Sequence, residues 1–392
     1  MRQIKGILYT EKFCFKAGLL TIDDDRIASV ELCREEDLTE EQRTQYILPG
    51  LIDIHFHGCA GYDLCDGTVD AIRAIASYEL THGITSISPA TMTLPEETLA
   101  DICAVCASAA ESEILDSGIP LGDILKGIYL EGPFISVEKK GAQNSAFIRK
   151  PDIEMLKKLQ QAAHGLIKIV AIAPETEGAI ECIRSEKNNM CFSVAHTCAD
   201  YETTKKAISA GAHHITHLYN AMPPLTHREP GVIGAAAESD GITAELICDG
   251  IHIHPSVVRN TFRLFGAGRI VLISDSMMAT GMDDGEYALG GQKVWVKGSL
   301  ATLENGTIAG SVTNLYDCMR MTIRMGVPGE EAVRAATANP AKVIGIEEEY
   351  GSLQVGKKAD VLVTDHEFNL LEVIKSGVNV EILNSGITAI NQ

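Results

Sequence analysis

The hydrophobic pattern divides the chain into two β-rich ends and a long alternating middle. Residues 1 to about 49 run as short alternating segments broken by polar turns, such as Gly18-Leu19-Leu20-Thr21-Ile22 followed by Asp23-Asp24-Asp25. That period of two marks strands, and residues 351–356 and 359–363 have the same character. Between the ends lie eight apolar runs: 51–55, 84–89, 127–131, 167–171, 191–196, a run ending at His217, 243–248 and 270–274. Segments of helical period fill the gaps, among them 69–80, a stretch led by Pro95, and 201–211, which a glycine closes. Strands alternating with helices in this number predict a closed parallel (β/α)8 barrel of the TIM type over 50–349. The ends, 1–49 and 350–392, are expected to join as one small β-sandwich domain. A doubly wound open sheet is the competing arrangement, but no G-x-G-x-x-G loop supports it.

Barrels of this kind carry their sites at the C-terminal ends of the strands. Read in order, those ends are His55 and His57, Glu131, His196, His217, Asp249 with His252, and Asp275. In a strand, residues two apart point the same way, so His55 and His57 can converge on one ion. Imidazoles with a carboxylate suit a divalent metal such as zinc or iron. Glu131 precedes Gly132-Pro133, where a carboxylate that merely caps the turn is the plainer alternative. His196 or His217 alone would read as a core histidine; at successive strand ends they read as ligands. Asp275 is placed to take a proton from water and return it to a leaving group. His252 is placed to donate to a developing oxyanion. Arg228, on the proline-rich loop 223–230, suits a phosphate or carboxylate, with a surface ion pair as the alternative. His213 and His214 read as bland, His82, His164 and His366 as peripheral, and His254 as the start of the helix led by Pro255.

Charge and cysteines narrow the partners. The formal charge of −20 over 392 residues argues against nucleic acid or anionic lipid. An anionic substrate would need local cations or a metal to hold it. No apolar run nears ~20 residues, so no membrane span is expected, and the first six residues hold no apolar signal segment. An odd count of 11 scattered cysteines points to reduced thiols in a cytoplasm. Cys103 and Cys106 have zinc-knuckle spacing but no second pair, and read as core residues of a helix.

Longer strings make the pattern specific. His-x-His after the first strand, histidines after the fifth and sixth and an aspartate after the eighth resemble the amidohydrolase superfamily. Leu130-Glu131-Gly132-Pro133-Phe134, His217-Leu218-Tyr219-Asn220-Ala221-Met222, Asp249-Gly250-Ile251-His252 and Ser274-Asp275-Ser276 resemble the N-acetylglucosamine-6-phosphate deacetylase family within it, over nearly the whole chain. The resemblance implies hydrolysis of the acetamide of N-acetylglucosamine 6-phosphate. It implies that Glu131, His196 and His217 hold the main metal, with Asp275 as general base and then acid and His252 polarising the acetyl carbonyl. Ala142, Gln143, Asn220, Ala221, Asp249, His252, Ile308, Ala309 and Gly310 would line the substrate site. Arg228 would reach the neighbouring site of a homodimer. Because His55 and His57 are kept, a second ion, zinc or iron like the first, is expected with Glu131 bridging. Lys168, which might bridge as a carboxylated lysine, falls too early in its run. Gln143 stands where histidine is usual in this family, which bears on the sugar contact there. Two rivals remain: an amide hydrolase of other specificity, such as an N-acetylgalactosamine-6-phosphate deacetylase or a cyclic-ureide hydrolase, and a barrel that has lost catalysis.

Overall fold

The computed structural model describes residues 1–382; the last ten residues of the expected terminal domain lie outside that range. Seven parallel strands form one curled sheet in chain order: Ala90–Thr91, Ile128–Leu130, Ile167–Ile172, Cys191–Val194, His214–Ile215, Thr243–Ile247 and Ile270–Ile273. The remaining pair, Leu51–Asp53 with Ile84–Ile87, is also parallel. The second barrel strand is therefore split at Ser88-Pro89. Its first half pairs with the first strand and its second half with the third. Proline lacks the N–H that a continuous ladder would need.

A buried side chain and a backbone bond close the ring between its last and first strands. Asp53 Oδ2 accepts from the Ser274 backbone N–H at 3.3 Å and hydroxyl at 2.5 Å. The Asp275 N–H donates to the His55 carbonyl at 3.0 Å. Asp53 is fully buried there. Burial pushes its carboxyl up to about 7, against the opposing pull of the Ser274 hydroxyl and the His55 N–H.

Strand alternation sorts the core into two layers. Ile128, Leu130, Ala244, Leu246, Ile270 and Leu272 face the helices, whereas Tyr129, Ile247, Val271 and Ile273 fill the barrel interior. Each fully buried Leu or Ile contributes about 1.5–3 kcal/mol, which makes the inward and outward faces hard to exchange. Cys103 and Cys106 lie in the helix Glu96–Ser112 and are fully buried, as core residues should be. His254 caps the helix Pro255–Phe265, its ring accepting from the Ser256 N–H.

The two ends of the chain meet in one hydrogen-bonded sheet of seven strands. Its order is Val378–Val380, Leu370–Lys375, Val361–Asp365, Gln45–Pro49, Arg2–Tyr9, Phe15–Asp23, Arg26–Leu32. The sandwich expected from these ends is realised as this single sheet, which has its own core of Ile4, Leu8, Leu20, Ile22, Ile47, Val361 and Ile374 among others. A further three-stranded sheet, Gly285–Leu289, Gln292–Lys297 and Leu300–Thr302, follows the last barrel strand. It packs Leu289, Val294 and Ala301 against Met92, Met277 and Ala309 beside the barrel mouth.

Candidate active site

The strands end earlier than the hydrophobic runs suggest, and the functional side chains stand just beyond them. The first ends at Asp53, the fifth at Val194, the sixth at Ile215 and the eighth at Ile273. His55, His57, His196, His217 and Asp275 therefore occupy the loops, which corrects the expectation that a pleat aligns His55 with His57. A residue kept in the ladder would stay at its strand's spacing; leaving it lets five strands aim at one point. His196, His217 and Asp275 turn away with φ of 41°, 27° and 50°. Such left-handed conformations cost non-glycine residues about 1–3 kcal/mol each and recur at functional sites. Gly132 makes the turn after Glu131: its φ is +95°, and a Cβ there would meet Thr93 Oγ1 at 2.0 Å.

Glu131 sits at the centre. Its Oε1 is 3.1 Å from both His196 Nε2 and His217 Nε2 and 3.4 Å from His55 Nε2, while its Oε2 is 3.4 Å from His57 Nε2. Asp275 Oδ1 lies 3.4 Å from His57 Nε2 and 3.9 Å from His55 Nε2. All six side chains are buried. Burial would raise the Glu131 carboxyl, but the four imidazoles around it hold it well below the ordinary range.

The donor set fits a divalent cation. Two overlapping groups, His55, His57 and Glu131, and Glu131, His196 and His217, each bring their ligand atoms within 4.8 Å of one another. His196 Nδ1 faces the Lys139 carbonyl at 2.8 Å and His55 Nδ1 faces Glu245 at 2.8 Å. Those acceptors assign the protons to Nδ1, so both Nε2 atoms present lone pairs to the site. His55 Nε2 is buried without a hydrogen-bond partner, and His196 Nε2 and His217 Nε2 approach to 3.1 Å. Lone pairs crowded in this way repel one another unless a cation shares them.

Above this cluster opens a cavity of about 400 Å³, lined by His57, Glu131, His196, His217, His252 and Asp275. Ala142, Gln143, Asn220, Ala221, Ile308 and Gly310 are also part of its wall. Ala309 is buried just behind, in the core of the small sheet. Asp249 is turned away from the cavity: Oδ1 accepts from the Ile251 and His252 N–H groups and Oδ2 faces His252 Nδ1 at 2.7 Å. It thereby fixes the His252 ring with Nε2 free. Burial would lower the His252 pKa, but Asp249 raises it above the ordinary value. Gln143 is fully engaged, its Nε2 donating to Glu131 Oε2 at 2.5 Å and its Oε1 accepting from the Thr93 N–H at 2.7 Å. It orients the central carboxylate, a role that the sugar-contact expectation missed. Arg228 is exposed and does not line this cavity. Lys168 does not line it either.

His214, expected to be bland, is buried and joined to a residue that sequence reasoning overlooked. Its Nε2 lies 2.9 Å from Glu245 Oε1, and Glu245 Oε2 faces His55 Nδ1 and accepts from the His217 N–H at 2.9 Å. Burial would raise the Glu245 carboxyl, but His55 and His214 bring it down to about 2. A lone glutamate inside the apolar run Thr243-Ala244-Glu245-Leu246-Ile247 was the available signal.

Residues 46–380 match the family model "Amidohydrolase family". The chain is 39% identical over 381 residues to the N-acetylglucosamine-6-phosphate deacetylase of Bacillus subtilis (strain 168), covering 95% of this chain and 96% of the relative. It is 34% identical over 368 residues to the N-acetylgalactosamine-6-phosphate deacetylase of Escherichia coli O157:H7, covering 93% and 95%. A mutant N-acetyl-D-glucosamine-6-phosphate deacetylase from Mycobacterium smegmatis, solved in complex with N-acetyl-D-glucosamine-6-phosphate, superposes with a TM-score of 0.88 at 31% identity, covering 96% of this chain and 98% of that one. With ligand-bearing strand ends, barrel and relatives in agreement, the chain belongs to the amidohydrolase family and groups within it with the N-acetylglucosamine-6-phosphate deacetylases.

Proposed function

We propose that this chain hydrolyses the acetamide of N-acetylglucosamine 6-phosphate to glucosamine 6-phosphate and acetate. The observation that carries the reading is the placement of Asp275 Oδ1 within 3.4 Å of His57 Nε2, on the floor of the cavity that His252 also lines. Glu131, His196 and His217 would hold one divalent ion in this reading, and His55 and His57 with Glu131 would hold a second; zinc and iron both suit the nitrogen-rich set. Such ions, when bound, lower the pKa of water and polarise the amide carbonyl.

The remaining steps belong to the chain's own residues. Asp275 takes the proton from water as the carbonyl is attacked and later gives it to the departing amine nitrogen. His252, its Nδ1 proton held by Asp249, whose charge favours the imidazolium form, donates from Nε2 to the carbonyl oxygen as charge develops there. Asn220, Ala221, Ile308 and Gly310 shape the sugar subsite. Among the cavity-lining residues Lys139 is the only Lys or Arg, so a substrate dianion calls for another cation. Arg228 of a second copy in a homodimer supplies it. Domain boundaries at 49/50 and 349/350 and a cytoplasmic location belong to the same proposal; the eleven free cysteines support the latter. No helix among the described residues is long and apolar enough to cross a membrane.

The galactosamine epimer is the second reading, favoured by the 34%-identical relative named for it. Acetate release is the test, with metal-loaded protein and N-acetylglucosamine 6-phosphate, its galactosamine epimer and unphosphorylated N-acetylglucosamine side by side. Rapid release from the glucosamine phosphate alone is expected. Preference for the epimer would move the assignment to the second reading, and equal release from the unphosphorylated sugar would remove the phosphate from it.

A further inference from the structure

Glu245 lies in the middle of the strand Thr243–Ile247 and is fully buried. Its neighbours Ala244 and Leu246 pack outward with the helices, and Ile247, two residues on, lines the cavity. By alternation Glu245 points into the barrel, one layer below the metal-ligating cluster. That layer is ordinarily filled by branched apolar side chains, and burying a carboxylate costs several kcal/mol unless its partners offset it. The partners here are specific. Oε2 meets His55 Nδ1 at 2.8 Å and the His217 N–H at 2.9 Å; Oε1 meets His214 Nε2 at 2.9 Å. His214 is itself anchored, its Nδ1 2.6 Å from Thr243 Oγ1. One carboxylate thus fixes the ring and tautomer of a ligand in one half of the centre and the backbone of a ligand in the other.

We propose that Glu245, backed by His214, is the positioning residue that makes the His55–His57–Glu131 half of the centre a metal site. This rests on the two-ion reading above. The two halves are not equally supported. Among Glu131, His196 and His217 no ring depends on Glu245: His196 is held by the Lys139 carbonyl, and His217, its Nδ1 buried without a partner, meets Glu245 only through its backbone N–H. His57 has only a long contact to the Ala90 carbonyl at 3.3 Å. His55 owes its orientation to Glu245, and the buried negative charge raises the basicity of the imidazole that faces the ion. Without that charge, a neutral oxygen in its place accepts the Nδ1 proton more weakly, and the lone pair on Nε2 is less firmly committed to the site.

The experiment is equilibrium dialysis of the metal-free full chain against zinc alone, with metal counted per subunit. Two ions are expected for the unaltered protein. Glu245→Gln keeps the shape and an acceptor oxygen but removes the charge. It should bind the first ion with unchanged affinity and the second about 10- to 100-fold more weakly. His55→Asn should lose the second ion as well, and adding Glu245→Gln to it should cause no further loss. If Glu245→Gln does not fold, His214→Leu takes its place, withdrawing one donor without touching a ligand, and should weaken the second ion alone. Two ions bound with undiminished affinity by these variants would overturn the proposal. A uniform loss of both ions would reduce Glu245 to a structural residue and overturn it too. A single ion in the unaltered protein would remove the two-ion reading itself, an outcome separate from both.

Discussion

Asp275 meets the cluster only through Oδ1, at 3.4 Å from His57 and 3.9 Å from His55, whereas Glu131 touches all four imidazoles. Under the proposed function that difference separates a proton carrier from a ligand. Asp275→Asn should keep its metal content, because the side chain's shape and its backbone bonds to His55 and Ser311 survive. Turnover should fall about 10²- to 10⁴-fold, the usual contribution of a positioned acid–base group. Metal analysis beside kcat checks this, and a proportional loss of metal would make Asp275 a ligand instead. The four histidines, Glu131 and Asp275 that the fold brings together were legible in the sequence, since a histidine or carboxylate at a strand end is conspicuous. The residues beneath them were not. Glu245 and His214 lie inside apolar runs, where a polar residue reads as an interruption until its partner is known, and those partners come from three different strands. Gln143 was legible as a cavity residue, but its bond to Glu131 was not, because both ends of a carboxamide look alike in a sequence.

At the scale of elements, the eight runs and the helices between them were readable, and their ends were the part that slipped. Ala195 and Ile54 are fully buried although they lie past the ends of their strands, so hydrophobicity continues beyond the regular ladder, where only single bonds such as that of the Ala195 N–H to the Ile172 carbonyl remain. The hairpin of Gly285–Leu289 and Gln292–Lys297 had a clear signal in its two-residue Gly290-Gly291 turn, but no expectation was drawn from it. The terminal sheet owes part of its specificity to a buried charge. Lys375, fully buried at the end of Leu370–Lys375, meets Asp360 Oδ2 at 2.6 Å, while Asp360 Oδ1 accepts from the Ser376 N–H at 3.0 Å. Breaking such a pair leaves an unpaired buried carboxylate. Lys375→Met should cost about 3–5 kcal/mol in equilibrium denaturation. Adding Asp360→Asn, which keeps an acceptor for Ser376 and discards the charge, should recover most of that loss. A double variant as unstable as the single one would show that Lys375 matters for its contact with the Tyr350 ring, whose centroid lies 4.8 Å from its ammonium, rather than for its pairing with Asp360.

At the scale of the whole molecule, the formal charge of −20 works against any anionic substrate, so the position of each cation near the cavity matters. Arg228 makes no ion pair among the described residues and stands exposed on its loop, outside the cavity of its own subunit. A two-fold dimer would bring each subunit's arginine to its partner's site, because such an interface exchanges the same surfaces in both directions. The consequence is open to a mixing experiment. Arg228→Ala and Asp275→Asn homodimers should each be nearly inactive at substrate concentrations well below KM. In a reassorted mixture, the mixed dimer holds one site with an intact Asp275 and, from across the interface, an intact Arg228. Random exchange makes half the dimers mixed, with one complete site in two, so activity should return to about a quarter of the unaltered level. Sites complete within one subunit would show no recovery, because each polypeptide in the mixture still lacks one of the two groups. Recovery therefore requires that the Asp275 and the Arg228 serving one site come from different chains, and it would make the dimer, rather than the barrel, the smallest active unit.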